Sequence, residues 1–172
     1  MRECALCMII LGVDPGLAIA GWGVIEYDKS RFRVLGYGSA TTPAGMKVED
    51  RLLSLHRDFS EIIEHYHPNA FAAEELFWNT NHTTGIVVAE ARGVIIMTAR
   101  KYGLPLAEYT PLQVKQSVVG YGRATKKQVI AMVTSLLNLP EPPKPDDTAD
   151  ALAVAICHAH SSGSLLAKYY NN

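Results

Sequence analysis

The chain has 172 residues, 48% of them hydrophobic and 19% charged, with a formal net charge of −1. That length and balance suit one globular domain with a sizeable core and exclude a disordered or low-complexity chain. No apolar stretch reaches the length of a membrane span, no signal-peptide pattern opens the chain, and three cysteines make no disulfide framework, so a cytoplasmic location is expected.

The first predicted element is a strand over Met8–Val13, a continuous apolar run that ends at Asp14-Pro15-Gly16. A run of that kind reads as a strand buried on both faces. Two more strands follow, about Ala20–Tyr27 and Phe32–Ala40, with Asp28-Lys29-Ser30 as the turn between them. Such short connections predict an antiparallel meander.

Val48, Leu52, Leu55, Phe59, Ile62 and Tyr66 recur at spacings of three and four, which predicts an amphipathic helix stopped at Pro68-Asn69. Ala70–Ala73 is a short buried strand that runs into Glu74. A polar loop or cap over 79–84 leads to a long apolar helix reaching about Tyr102, ended by Gly103. Pro105–Tyr109 is a fifth strand. Thr110 with Pro111 opens a helix broken by Gly120-Tyr121-Gly122, and Thr125…Gln128 is a capping box for the next, which runs to about Asn138. A proline-rich linker over 140–145 precedes a last helix from near Asp146 to about His160. The order β-β-β-α-β-α-β-α-α-α predicts a hairpin-bearing α/β sheet with helices on its faces.

The acids carry the chemistry. Asp14 and Glu74 each end an apolar strand, and Asp147 and Asp150 share one face of the last helix in its first turn. Burying unpaired charge is costly, so each acid needs a counter-charge, a proton or a metal. If the four converge within about 5 Å, each like-charge pair costs about 3 kcal/mol at an effective dielectric near 20. Oxygen-only donors suit Mg²⁺ or Mn²⁺, and two such ions roughly 4 Å apart can clamp a phosphodiester. Taken singly, Asp14 is equally a turn residue, Asp146 or Asp147 an N-cap, and Glu75 a solvated neighbour. Taken together, carboxylates on two apolar strand ends and an apolar helix favour an active site.

Charge distribution points the same way. From Ala91 to Pro140, Arg92, Arg100, Lys101, Lys115, Arg123, Lys126 and Lys127 face a single acid, Glu108, a net of +6. This is either a set of solvated helix faces or a surface for a polyanion. Cys4-x-x-Cys7 with Cys157, His158 and His160 could be imagined as a zinc site, but no second paired motif exists. A ragged N-terminal extension is the plainer reading.

Four blocks resemble one known family. Leu11-Gly12-Val13-Asp14-Pro15-Gly16, Phe71-Ala72-Ala73-Glu74-Glu75-Leu76-Phe77, Gln113-Val114-Lys115-Gln116-Ser117-Val118-Val119-Gly120 and Asp147-Thr148-Ala149-Asp150-Ala151-Leu152-Ala153 look like the RuvC Holliday-junction resolvases. The similarity runs from about Met8 to Ser161. It implies a ribonuclease-H-like fold with a central mixed five-stranded sheet, three antiparallel strands then two parallel, flanked by helices. It also implies a homodimer that resolves four-way DNA junctions by two symmetric nicks, leaving 5′-phosphate and 3′-hydroxyl ends. By position, Asp14, Glu74, Asp147 and Asp150 match catalytic carboxylates that bind Mg²⁺, two ions per site, with Mn²⁺ as a substitute. Some members carry His where Asp147 stands. Lys115 and Lys126 match basic residues near the DNA backbone, and Phe77 an aromatic that meets junction bases. Arg123 and Lys127 are further DNA-binding candidates, and Phe77 with Trp78 could stack on an unpaired base. A branch-migration helicase complex of the RuvA and RuvB type is the implied partner.

The whole chain, residues 1–172, is thus expected to form a single nuclease domain, with 1–7 an N-terminal extension and 162–172 a flexible tail. Two rival readings are a junction-binding protein without catalysis and a fragment of an actin- or sugar-kinase-type phosphotransferase. The complete set of four acids argues against the first. The second needs two lobes enclosing the nucleotide, for which 172 residues are too few unless the chain is a fragment, and no second Gly-rich phosphate loop follows.

Overall fold

The computed structural model describes residues 7–28, 30–76 and 82–162. Five strands form one sheet: β1 (Met8–Asp14), β2 (Ile19–Asp28), β3 (Arg31–Thr41), β4 (Ala70–Glu74) and β5 (Leu106–Tyr109), in the order β3-β2-β1-β4-β5. β1, β2 and β3 pair antiparallel, while β4 joins β1 and β5 joins β4 in parallel. This is the mixed five-stranded sheet that the family resemblance implies.

Five helices cover it: α1 (Val48–Tyr66), α2 (His82–Lys101), α3 (Pro111–Val119), α4 (Lys126–Leu136) and α5 (Asp146–Ser162). Strand alternation divides the core in two. Leu11, Val13, Val24 and Phe71 face one side, where α1 brings Leu55 and Phe59 and α2 brings Ala91, Ile95 and Ala99. Ile10, Ile25 and Ala72 face the other side, against α5 and, beyond it, Val114, Val118, Val129 and Val133 of α3 and α4. Thr125 with Gln128 opens α4 in the expected capping box, and the expected cap Thr110 forms a second box with Gln113 at the start of α3. Each satisfies amide donors that a helix start leaves without partners.

α5 is the central helix. Ala149, Ala151–Cys157 and Ala159 are all buried, so it is apolar around most of its circumference and lies between sheet and helices. It approaches the sheet very closely. A Cβ on Gly12 of β1 would stand 2.3 Å from the Ala151 carbonyl oxygen, and one on Gly21 of β2 would stand 2.0 Å from that of Asp147. Gly21 pairs with Asp14 across the β1–β2 ladder. The missing side chains therefore bring the first turn of α5 down beside the end of β1. Thr148 adds a tether, its hydroxyl donating to the Gly38 carbonyl of β3 at 3.1 Å.

Among the described residues, the Cys and His side chains of the imagined zinc site are not gathered into a metal site. Cys157 is buried in the core of α5 and Cys7 donates through Sγ to Glu26 Oε1 at 2.9 Å at the foot of β1. Cys4 lies outside the described residues.

Gly21→Ala should lower stability by about 1–3 kcal/mol, the usual cost of overpacking, because the obstacle is helix backbone rather than a flexible side chain. Urea unfolding measures this; an unchanged midpoint would mean that α5 yields freely.

Candidate active site

Ladder register places the two strand acids side by side. Val13 pairs with Ala73 between parallel β1 and β4, and Asp14 and Glu74 are the next residues on each strand. Asp14 has the parity of Ile10 and Gly12, and Glu74 that of Ala70 and Ala72, so both acids project on the face that α5 covers. α5 delivers Asp147 from its first turn and Asp150 just after it, the Asp147 carbonyl lying against Gly21.

The acids act on one another. Burial pushes the Asp14 carboxyl from its ordinary 3.8 to about 7, and the charges of Asp150, Glu74 and Asp147 push in the same direction. Lys126 pulls against them. Glu74 is also raised, by burial and then by Asp150, while Lys115 and Lys126 lower it. The interactions are those of one shared site.

Lys126 is its resident cation. At the first position of α4, its Nζ donates to Asp150 Oδ2 at 2.8 Å and lies 3.6 Å from Asp146 Oδ2. Burial pulls the Lys126 pKa down, but the hydrogen bond and charge of Asp150, with Asp146 and Asp147, outweigh it and leave the pKa above its ordinary value. Half of the Lys126 side chain is exposed, so the pair is a weak, exchangeable one rather than a strong tie.

Asp14 and Glu74 also open onto a cavity of about 270 Å³, whose walls include Pro15, Glu75, Leu76, Val88, Arg92 and Pro111. It is large enough for a phosphate group and small enough to hold it near the two acids. All four acids are oxygen donors, and this chemistry fits a hard divalent cation. Among the described residues, no three of the His, Cys, Asp and Glu side chains are gathered into a finished metal cage. Four carboxylates repel, and Asp150 is turned to Lys126.

A family model described as "Crossover junction endodeoxyribonuclease RuvC" matches residues 10–158. The chain belongs to the RuvC family of crossover junction endodeoxyribonucleases. It is 57% identical over 154 residues to the RuvC of Alkaliphilus oremlandii, covering 90% of this chain and 94% of that protein. It is 56% identical over 155 residues to the RuvC of Clostridioides difficile, covering 90% and 92%. Among solved structures, Thermus thermophilus RuvC in complex with a Holliday junction substrate superposes with a TM-score of 0.86 at 33% identity, covering 90% of this chain and 94% of that one. The yeast mitochondrial Holliday junction resolvase Ydc2 shares the fold at a TM-score of 0.60 and 12% identity. The fold is therefore the ribonuclease-H-like fold of the RuvC family, and the chain is a nuclease.

Within this RuvC-family fold, Asp14, Glu74, Asp147, Asp150, Lys115 and Lys126 all come to one end of the sheet. Arg123 is exposed in the turn between α3 and α4, and Lys127 is exposed one residue into α4, without a recorded contact to the acids. Phe77 and Trp78 lie outside the described residues. Sequence reasoning missed two participants. Asp146, read only as a cap, shares Lys126 with Asp150. Arg92, read only as one charge in a basic stretch, lines the cavity and pairs with Glu108. An arginine in the middle of an Ala- and Ile-rich helix was the available signal.

The raised carboxyls set a pH dependence. Between 3.8 and about 7 the unfolded chain loses the Asp14 proton while the folded chain keeps it. Without divalent cations, stability should therefore fall as pH rises through this window and level off above it. Asp14→Asn should flatten part of that slope, leaving the share of Glu74, and make the protein more stable than wild type at about pH 8. Chemical unfolding in chelator across this range tests it; identical slopes would show that Asp14 is not held protonated.

Proposed function

We propose that this chain acts as a homodimeric, Mg²⁺-dependent resolvase that cuts four-way DNA junctions by paired symmetric nicks, leaving 5′-phosphate and 3′-hydroxyl ends. The observation that carries this reading is the gathering of Asp14, Glu74, Asp147 and Asp150 at one end of the sheet, beside a cavity and two lysines. The relative from Thermus thermophilus, solved with a Holliday junction substrate, supports junction DNA as the ligand.

Asp14, Glu74, Asp147 and Asp150 would hold two Mg²⁺ ions, with Mn²⁺ as a substitute. Bound there, the ions supply the Lewis acidity that activates water and stabilises the leaving oxygen. The protein's own groups do the rest. Partial burial of Asp14 and Glu74 makes their charges costly until a cation arrives. Lys126 neutralises Asp150 in the meantime and can swing to a DNA phosphate once Asp150 is engaged, because its side chain is half exposed. Lys115, beside Glu74, offers a second positive group to the strand. Phe77 remains the candidate that meets junction bases, and Arg123 and Lys127 extend the basic surface.

A homodimer suits a substrate with two equivalent strands to cut. α2 presents Ile86, Gly93 and Met97 to solvent, interrupted by Glu90, and α1 adds exposed Leu53. Apolar surface of this kind suits a second copy of the chain. A single domain over the whole chain, cytoplasmic action and a branch-migration complex of the RuvA and RuvB type complete the proposal. No helix among the described residues is long and apolar enough to cross a membrane.

The decisive experiment incubates purified protein with a synthetic four-way junction or a linear duplex, with and without Mg²⁺. Selective nicking of the junction only with Mg²⁺ is expected; junction binding without nicking would leave a non-catalytic junction binder. Asp14→Asn should keep binding and lower the cutting rate by roughly 10²–10³-fold or more. Retained cutting would remove Asp14 from the site. Lys115→Ala should weaken binding and make the log-affinity against log-salt slope shallower by about one. An unchanged slope would place Lys115 off the DNA.

A further inference from the structure

Two large apolar side chains stand in water beside the acidic site, and the chemistry above uses neither. Tyr121 is 46% exposed and Leu112 is 55% exposed. Tyr121 is the centre of the turn Gly120-Tyr121-Gly122 between α3 and α4. Among the described residues its ring meets no other ring and its hydroxyl has no hydrogen-bond partner. Singly exposed apolar residues are common on protein surfaces, so it is the neighbours of this ring that give it a role.

The turn is fastened at both ends to the site. Gly120 closes α3 in the left-handed region at φ 93°, which sends the chain sharply back. Gly122 then packs on Leu112: a Cβ there would stand 2.1 Å from Leu112 Cδ1. Leu112 follows Pro111, which lines the acidic cavity. On the other side, Thr125 caps α4 and Lys126 reaches Asp150. Tyr121 therefore sits in a braced turn between α3, which starts at the cavity rim, and α4, whose first residue is the lysine that pairs with Asp150.

Its surroundings decide the chemistry of the partner. From Tyr109 to Pro140 there is no acidic residue, while Lys115, Arg123, Lys126 and Lys127 are all basic. Phosphates satisfy such cations, but they offer nothing to an aromatic ring. A nucleic-acid strand satisfies both, with phosphates on the lysines and an unpaired base on the ring. A fully paired duplex keeps its base faces stacked internally, whereas the crossover of a junction can release one.

We propose that Tyr121 is a positioning residue for the DNA substrate, its ring stacking on an unpaired base at the crossover of the bound junction. This rests on the resolvase reading above and adds a contact to it.

The test compares wild type, Tyr121→Ala and Tyr121→Phe on a four-way junction carrying 2-aminopurine at each crossover position in turn, with a linear duplex as control. Wild type and Y121F should change the fluorescence at one crossover position, and Y121A should not. Y121A should bind the junction about 5- to 100-fold more weakly, the range of one lost base–aromatic stack, and Y121F within about twofold of wild type. The salt slope should stay the same in all three, because no ionic contact is lost. Duplex affinity should also stay the same.

Wild-type fluorescence and affinity in Y121A would overturn the proposal. Equal weakening by Y121F would assign the contact to the hydroxyl instead and overturn stacking, and equal weakening on duplex would overturn the unpaired base. Normal DNA behaviour in Y121A with lost capture of a purified branch-migration protein would make the turn a protein-docking site instead. Failure of wild type to nick the junction at all would sink the resolvase reading itself, a result separate from any of these.

Discussion

The contact between α5 and the sheet is what the rest of the molecule depends on. Helices usually sit on sheets at the distance that side chains allow. Here Gly12 and Gly21 remove the side chains beneath the first half of α5, and the helix backbone rests almost on the strands. Two results follow from one constraint. The apolar helix gains a tightly packed interior on all sides, and the acids of its first turn reach those at the ends of β1 and β4. Stability and site geometry are therefore coupled at the same residues, and the same glycines serve both.

The cost of that arrangement is electrostatic. Strands end at Asp14 and Glu74 on the covered face, and the helix adds Asp147 and Asp150. Asp14 and Glu74 lose solvation and meet like charges, which is why Asp14 holds its proton to about pH 7. Such a site is less stable than an apolar one would be, and it is poised to gain most from a divalent cation. Lys126 limits the cost in the meantime. As a flexible, exposed cation at a helix start, it neutralises Asp150 without locking it. A buried arginine in that place would bind more firmly and release less readily.

The basic and aromatic groups around the acids follow from the connections rather than from the sheet. Short α3, the glycine turn and the start of α4 carry Lys115, Tyr121, Arg123, Lys126 and Lys127, of which Lys115 and Lys126 act on the acids. In the proposed reading, a rigid sheet end holds the acids while the neighbouring loops shape the surface that meets the substrate, a common division of labour between scaffold and loop.

Much of this was legible in the residue pattern. Apolar runs, caps and glycine breaks marked all five strands and all five helices, because local periodicity and capping act within a few residues. The start of α3 at Thr110-Pro111 and of α4 at Thr125 match their predicted capping motifs. Element ends moved by one or two residues, as with β2, which extends to Ile19 and Asp28. The four acids stood out because carboxylates on apolar elements conflict with burial. The role of Asp146 beside Lys126, and the place of Arg92 in the cavity wall, did not stand out, since both arise from elements far apart in the chain.

By itself, then, the sequence determined which segments are strand or helix and which residues are chemically out of place in them. Only the tertiary structure decided that β4 lies beside β1, that α5 descends onto two glycines, and that Lys126 of a third element meets Asp150. The reason is range. Propensity and periodicity are properties of neighbours along the chain, whereas desolvation and Coulomb repulsion depend on distances through space, which exist only after the sheet and helices have packed.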